Sequence, residues 1–147
     1  MKILFYIQLS PMKNRRCLLE EYFDLLDEFG QKLGQRKERS LVHKDGNFHR
    51  SVHIWIYNDK KEILFQRRCA FKDLGSNRLD MSCGGHLNAG ETSIEAALRE
   101  LKEELNLTID PKELHYVMTV KRIFEKGQVK DREFNDVYLL KTTKTLS

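Results

Sequence analysis

The chain has 147 residues, 40% of them hydrophobic and 33% charged, with a formal net charge of +4. That suits one domain around one core, and the modest positive charge fits an anionic small-molecule partner without arguing for nucleic acid. No run approaches the roughly 18 apolar residues of a membrane span, so no membrane partner is expected. The opening MKILFYIQL is a short apolar run interrupted by Gln8, with no small-residue cleavage site before Lys13–Arg16, and does not read as an export signal. Cys17, Cys69 and Cys83 are odd in number and spread out, as free thiols in a reducing compartment are, so the expected location is the cytoplasm.

Residues 1–19 read as an N-terminal extension, either an extra edge strand or a segment outside the fold, and residues 20–147 as a single domain. In 20–39 an apolar run (Tyr22, Phe23, Leu25, Leu26), a turn at Glu28–Gln31 and a polar run predict a hairpin, serving as a cover over the domain or as a homodimer surface. Leu41–Arg50 reads as a loop around the turn Asp45-Gly46-Asn47, flanked by His43 and His49. Ser51–Tyr57 alternates Val52, Ile54 and Ile56 with His53, Trp55 and Tyr57, a strand pattern, and Glu62–Arg67 is its hairpin partner. A loop over Cys69–Arg78 leads to a short strand, Leu79–Cys83. After a helix, Leu114–Phe124 and Glu133–Thr142 read as strands joined through a turn at Lys126–Gln128. Strands on both sides of one helix, with hairpins, predict a mixed sheet in an α/β fold.

The stretch GGHLNAGETSIEAALRELKEELNL, residues 84–107, carries the chemistry. Ile94, Ala97, Leu98, Leu101 and Leu105 recur at helical spacing and face a core, and Thr92 or Ser93 can cap the helix start. Glu100, Glu103 and Glu104 share another face at i, i+3 and i+4, where like charges repel. A divalent cation reverses that sign, and carboxylate oxygens suit magnesium. The Gly84 carbonyl can add a ligand, because a glycine pair lets backbone approach a metal closely.

The spacing Gly85, five residues, Glu91, seven residues, then Arg99-Glu100-Leu101-Lys102-Glu103-Glu104 resembles the Nudix box, here residues 85–107. Asn106 stands where the family pattern has glycine, and Asn tolerates a left-handed helix end. The resemblance implies an α/β/α sandwich. It also implies an Mg2+-dependent (or Mn2+-dependent) hydrolase of a small-molecule diphosphate, isoprenyl or nucleoside. Glu100, Glu103 and Glu104 would be metal ligands, one of them also the base, and Glu91 would pair with Arg99 to hold the loop against the helix. In such a fold a second helix follows the last strands. Here only TTKTLS remains, so the chain is a fragment, or lacks that layer, or replaces it with residues 1–19.

Outside the box, the layout over roughly residues 20–142 resembles isopentenyl-diphosphate isomerase and its Nudix relatives. That likeness implies a diphosphate grip at Arg39, Arg68 and Lys72, and a second divalent metal at His43, His49 and His86 with an acid near the last strand, taken as Asp136. The isomerase places its cysteine immediately before the Gly-His pair, whereas this chain has Gly84 there and Cys83 one residue earlier, on the opposite face of a strand. Hydrolysis is therefore the expectation, isomerisation the alternative, and a non-catalytic ligand-sensing module a second alternative.

Overall fold

The computed structural model describes residues 2–8, 20–67 and 79–143. Nine strands form one mixed sheet. In chain order these are β1 (Lys2–Gln8), β2 (Tyr22–Leu26), β3 (Lys32–Glu38), β4 (Phe48–Tyr57), β5 (Glu62–Arg67), β6 (Leu79–Asp80), β7 (Cys83–His86), β8 (Leu114–Lys126) and β9 (Val129–Lys141). Among the described residues two α-helices accompany them, α1 (Arg39–Asp45) and α2 (Ser93–Leu105), with one 3-10 turn at Pro111–Glu113. β4 is the hub: it pairs antiparallel with β2, β5 and β7 and parallel with β9 along its whole length.

β1 pairs in parallel with β5, so residues 2–8 form an edge strand of the sheet. The hairpin predicted for 20–39 is β2–β3, and it is part of the sheet through Leu26 beside Phe48. The segment expected as one strand before the glycine pair is two. β6 pairs with β5 and β7 with β4. Between them Ser82 accepts the Ile56 N–H at 2.8 Å and donates to the Leu64 carbonyl at 2.6 Å, which satisfies buried backbone groups where the chain changes partner.

The region expected as a loop at 41–50 contains α1. Its signal is weak because the helix has seven residues and buries only Val42. The Glu38 side chain accepts from the Ser40 N–H at 3.0 Å at its start. Gly46, at φ 72°, closes its end, so the Asp45-Gly46-Asn47 turn signal marks a helix terminus.

α2 spans the predicted residues. Thr92 and Glu95 form a reciprocal capping box, and Asn106 sits in the left-handed region at φ 53°. The Asn106 and Leu107 N–H groups donate to the Lys102 and Leu101 carbonyls, each at 3.1 Å. The main core lies between α2 (Ala96, Ala97, Leu101) and the even-numbered face of β4 (Val52, Ile54, Ile56), joined by Cys83, Tyr138 and Leu140. A smaller cluster of Phe23, Leu25 and Val42 sits under α1 on the opposite side of the sheet. Past β9 only Thr142 and Thr143 are described, and no helix follows β9 among the described residues. Among the described residues no helix is long and apolar enough to cross a membrane.

Candidate functional site

A cleft of about 750 Å³ opens where β7 meets α2. One wall is the acidic helix. Gly84 and Gly85 have no side chains, and that leaves a window through which α2 reaches the cleft. A Cβ on Gly85 would collide with the Glu100 carboxylate. Glu100 is buried and Glu104 half-buried, and both line the cleft. Glu104 accepts from the Gly84 N–H at 3.4 Å and from Gln66 at 3.3 Å. Glu103 stands on the exposed side of the helix and accepts from Arg99 at 3.4 Å.

Arg99 ties this wall together. Its guanidinium donates in bidentate fashion to Glu91 at 2.7 and 2.9 Å, to Glu100 at 2.6 Å, and to the His86 carbonyl at 3.0 Å. Burial works against its charge, but Glu91 and Glu100 overcome that and raise its pKa above the usual arginine value.

The facing wall is assembled from four elements. His43 comes from α1, His49 from β4, His86 from β7 and Asp131 from β9. Each offers one ligand atom, and all of these lie within 4.8 Å of one another. Glu133 completes the group, 2.9 Å from His86 Nε2 and 3.6 Å from His49 Nε2. Phe23 is the floor: its ring stacks on His49 and His86 at 5.2 and 4.9 Å between centroids.

His49 is fully buried, and its Nδ1 lies 3.1 Å from the Asn47 carbonyl, an acceptor only. Nδ1 therefore carries a proton, and Nε2 is the ring nitrogen that faces Asp131 and Glu133. His49 Nε2 and Asp131 Oδ1 are buried without a hydrogen-bond partner. Burial alone would raise the Glu133 carboxyl, but the His49 and His86 rings and the Asn135 amide outweigh it and hold it far below the usual range. Burial pushes Asp131 up, helped by the Glu133 charge. Burial and the neighbouring His86 and His49 rings push His43 down to about 4. Imidazole nitrogens and carboxylate oxygens gathered this closely are a donor set that a divalent metal can use.

Asp136, the acid expected to complete this set, does not join it. Residues alternate faces along a strand, so Asp131, Glu133 and Asn135 face the cleft while Asp136 lies on the α2 side. There its Oδ1 accepts from Arg50 at 2.8 Å and Thr119 at 2.6 Å. The core residues Tyr138 and Leu140 carried that phase in the sequence. Arg39 lines the cleft but is already paired with Glu21 at 2.6 Å. Arg68 and Lys72 lie outside the described residues, as do Cys17 and Cys69. The cleft also contains His53, Asp80, Arg122, Phe124 and Lys126, which carried no motif in the sequence.

The family described as NUDIX domain matches residues 47–146. Nudix hydrolase 3 of Arabidopsis thaliana is 40% identical over 126 residues, which are 84% of this chain and 16% of that protein. The uncharacterized Nudix hydrolase CA_C0446 of Clostridium acetobutylicum is 40% identical over 123 residues, 82% of this chain and 59% of its own. The chain thus spans less than two thirds of either curated relative. Among solved structures, DR0079 from Deinococcus radiodurans superposes with a TM-score of 0.63 at 30% identity, over 85% of this chain and 74% of that one.

Proposed function

The chain belongs to the NUDIX domain family, and on that premise we propose that it hydrolyses the phosphoanhydride bond of a small-molecule diphosphate, with Mg2+ or Mn2+ as cofactor. One observation carries the reading. The glycine window opens Glu100 and Glu104 onto the same cleft as the His43, His49, His86 and Asp131 donors. A diphosphate is slow to hydrolyse because its oxygens repel a nucleophile, and a cleft that gathers cations against it removes that barrier.

Both walls fit metal by their donors. Carboxylate oxygens on α2 suit a hard ion, and the imidazole-rich wall suits a first-row transition ion. A divalent cation bound there supplies positive charge to the phosphate oxygens and makes water more acidic. Glu100 and Glu104 hold the carboxylate wall in place, and one of the three α2 glutamates accepts the proton that the attacking water loses. Arg99 fixes the loop at Glu91 and the direction of Glu100, and Phe23 fixes the rings of His49 and His86. An isomerase would need a thiol at the substrate, and Cys83 instead packs in the core under α2.

The test is a turnover screen of the purified protein on isoprenyl diphosphates, nucleoside di- and triphosphates and nucleotide sugars, with and without Mg2+. Metal-dependent release of phosphate or a monophosphate is expected for at least one class. Absence of any product across the panel would reject the reading, and proton exchange into isopentenyl diphosphate without hydrolysis would replace it with the isomerase.

A further inference from the structure

Four arginine and lysine side chains line the cleft: Arg39, Arg99, Arg122 and Lys126. Two are committed, Arg39 to Glu21 and Arg99 to Glu91 and Glu100. Arg122 and Lys126 have no carboxylate within 4.0 Å among the described residues. Both belong to β8, which is long and exposed and, among the described residues, pairs only with β9.

Arg122, Phe124 and Lys126 are spaced at i, i+2 and i+4, so they stand on one face of the strand. The register places Arg122 beside Glu133 and Phe124 beside Asp131, which identifies that face as the one toward the cleft. The stripe therefore starts at the histidine wall and runs outward along the hairpin for about 13 Å between the terminal Cα atoms, at ~3.3 Å per residue. Phe124 is half-buried, and the Arg122 guanidinium lies 5.7 Å from its ring centre. A cation, an aromatic face and a second cation in line match a flat ring flanked by negative groups. They are a poor match for an aliphatic chain, which would leave both charges desolvated and unpaired.

We infer that Arg122, Phe124 and Lys126 form a recognition stripe for the non-scissile half of the ligand, selecting diphosphates that carry a planar ring and a further phosphate over simple alkyl diphosphates. The inference rests on the proposed hydrolase reading for the placement of the scissile bond, but the stripe's binding can be measured apart from turnover. Arg122 anchors the phosphate nearer the metal-binding walls, Phe124 stacks the ring, and Lys126 meets the outer phosphate.

The probe is adenosine 3′,5′-bisphosphate, a ring between two phosphates with no anhydride to cleave, titrated calorimetrically into the full chain. Isopentenyl diphosphate is the alkyl comparison. The wild type should bind the bisphosphate at least tenfold tighter, and Arg122→Gln or Lys126→Met should each weaken that binding five- to twentyfold. Phe124→Ala should weaken it about five- to tenfold, the low end of the stacking loss expected at one base. Lys121→Ala removes a cation on the same strand whose Nζ instead donates to the Glu28 carbonyl at 2.6 Å, and it should leave the preference intact. Equal affinity for the two probes, or a preference unchanged by Arg122→Gln and Lys126→Met, would overturn the stripe. Stripe-dependent binding without hydrolysis of any diphosphate would instead uphold the stripe and remove the hydrolase reading.

Discussion

On the α2 wall of the cleft, an arginine already balances the carboxylates: Arg99 holds Glu91 and Glu100 in short hydrogen bonds and reaches Glu103. On the opposite wall, Asp131 and Glu133 face three imidazoles, and one of these, His43, is pushed down to about 4 and so stays neutral near pH 7. The first wall is a folded unit that stands without metal. The second is a set of donors whose buried His49 Nε2 and Asp131 Oδ1 still lack hydrogen-bond partners. A cation should therefore matter to turnover on the first wall and to stability as well on the second.

The largest expected effect comes from removing the floor of the second wall. Phe23 is 1% exposed, and Phe23→Ala should cost about 3–5 kcal/mol in denaturant unfolding. It should also abolish the stabilisation that Mn2+ gives the wild type, about 2.7 kcal/mol at a hundredfold excess over its dissociation constant. If Phe23→Ala keeps the Mn2+ increment, the ring does not hold the histidines.

Gly85→Ala sharpens the comparison from the first wall. The new methyl collides with the Glu100 carboxylate and must displace it. Turnover should fall about a hundredfold, the size expected of a catalytic group moved by ~1 Å, while the Mn2+ stabilisation assigned to the histidine wall persists. Unchanged turnover would mean that Glu100 need not sit in the window.

Arg99→Ala should destabilise by about 2 kcal/mol. That is less than the roughly 3–5 kcal/mol of a fully buried pair, because a fifth of the side chain reaches water. The loss should shrink in Glu91→Gln/Arg99→Ala, where no carboxylate is left stranded at the loop, and a double-mutant cycle measures that coupling.

The smallest effect is in pH. His43 has a folded pKa below its ordinary 6.5, so between pH 6.5 and about 4 the unfolded chain binds the extra proton. The metal-free protein should lose stability as pH falls through that window, and Asp131, whose carboxyl is raised, offsets part of the loss. His43→Asn should flatten the slope in urea melts across the window. An unchanged slope would place the titration elsewhere.

The same contrast explains what could be read from the chain. Everything on the α2 wall is local. The helix, its Thr92 cap, its Asn106 terminus and the Glu91–Arg99 pair all follow from spacings within one short stretch. The second wall is non-local: its members meet only because β4 pairs with β7 on one side and β9 on the other. The histidines entered through resemblance, whereas the acid was placed at Asp136, out of phase with Asp131 and Glu133. α1 escaped notice because seven residues with one buried side chain give almost no periodic signal. Arg122 and Lys126 carry no motif, and only the register of β8 against β9 turns them toward the cleft.

The most direct measurement is 31P NMR of a hydrolysed diphosphate during a Mg2+ titration, comparing the wild type with the Glu100→Gln/Glu104→Gln double variant. Product formation that rises with Mg2+ in the wild type, and falls by about 10²–10³ in a variant that is still folded at the assay temperature, is the predicted result. Turnover in the double variant at the wild-type rate, or a wild-type rate indifferent to Mg2+, would contradict a carboxylate wall that works by holding metal against the diphosphate.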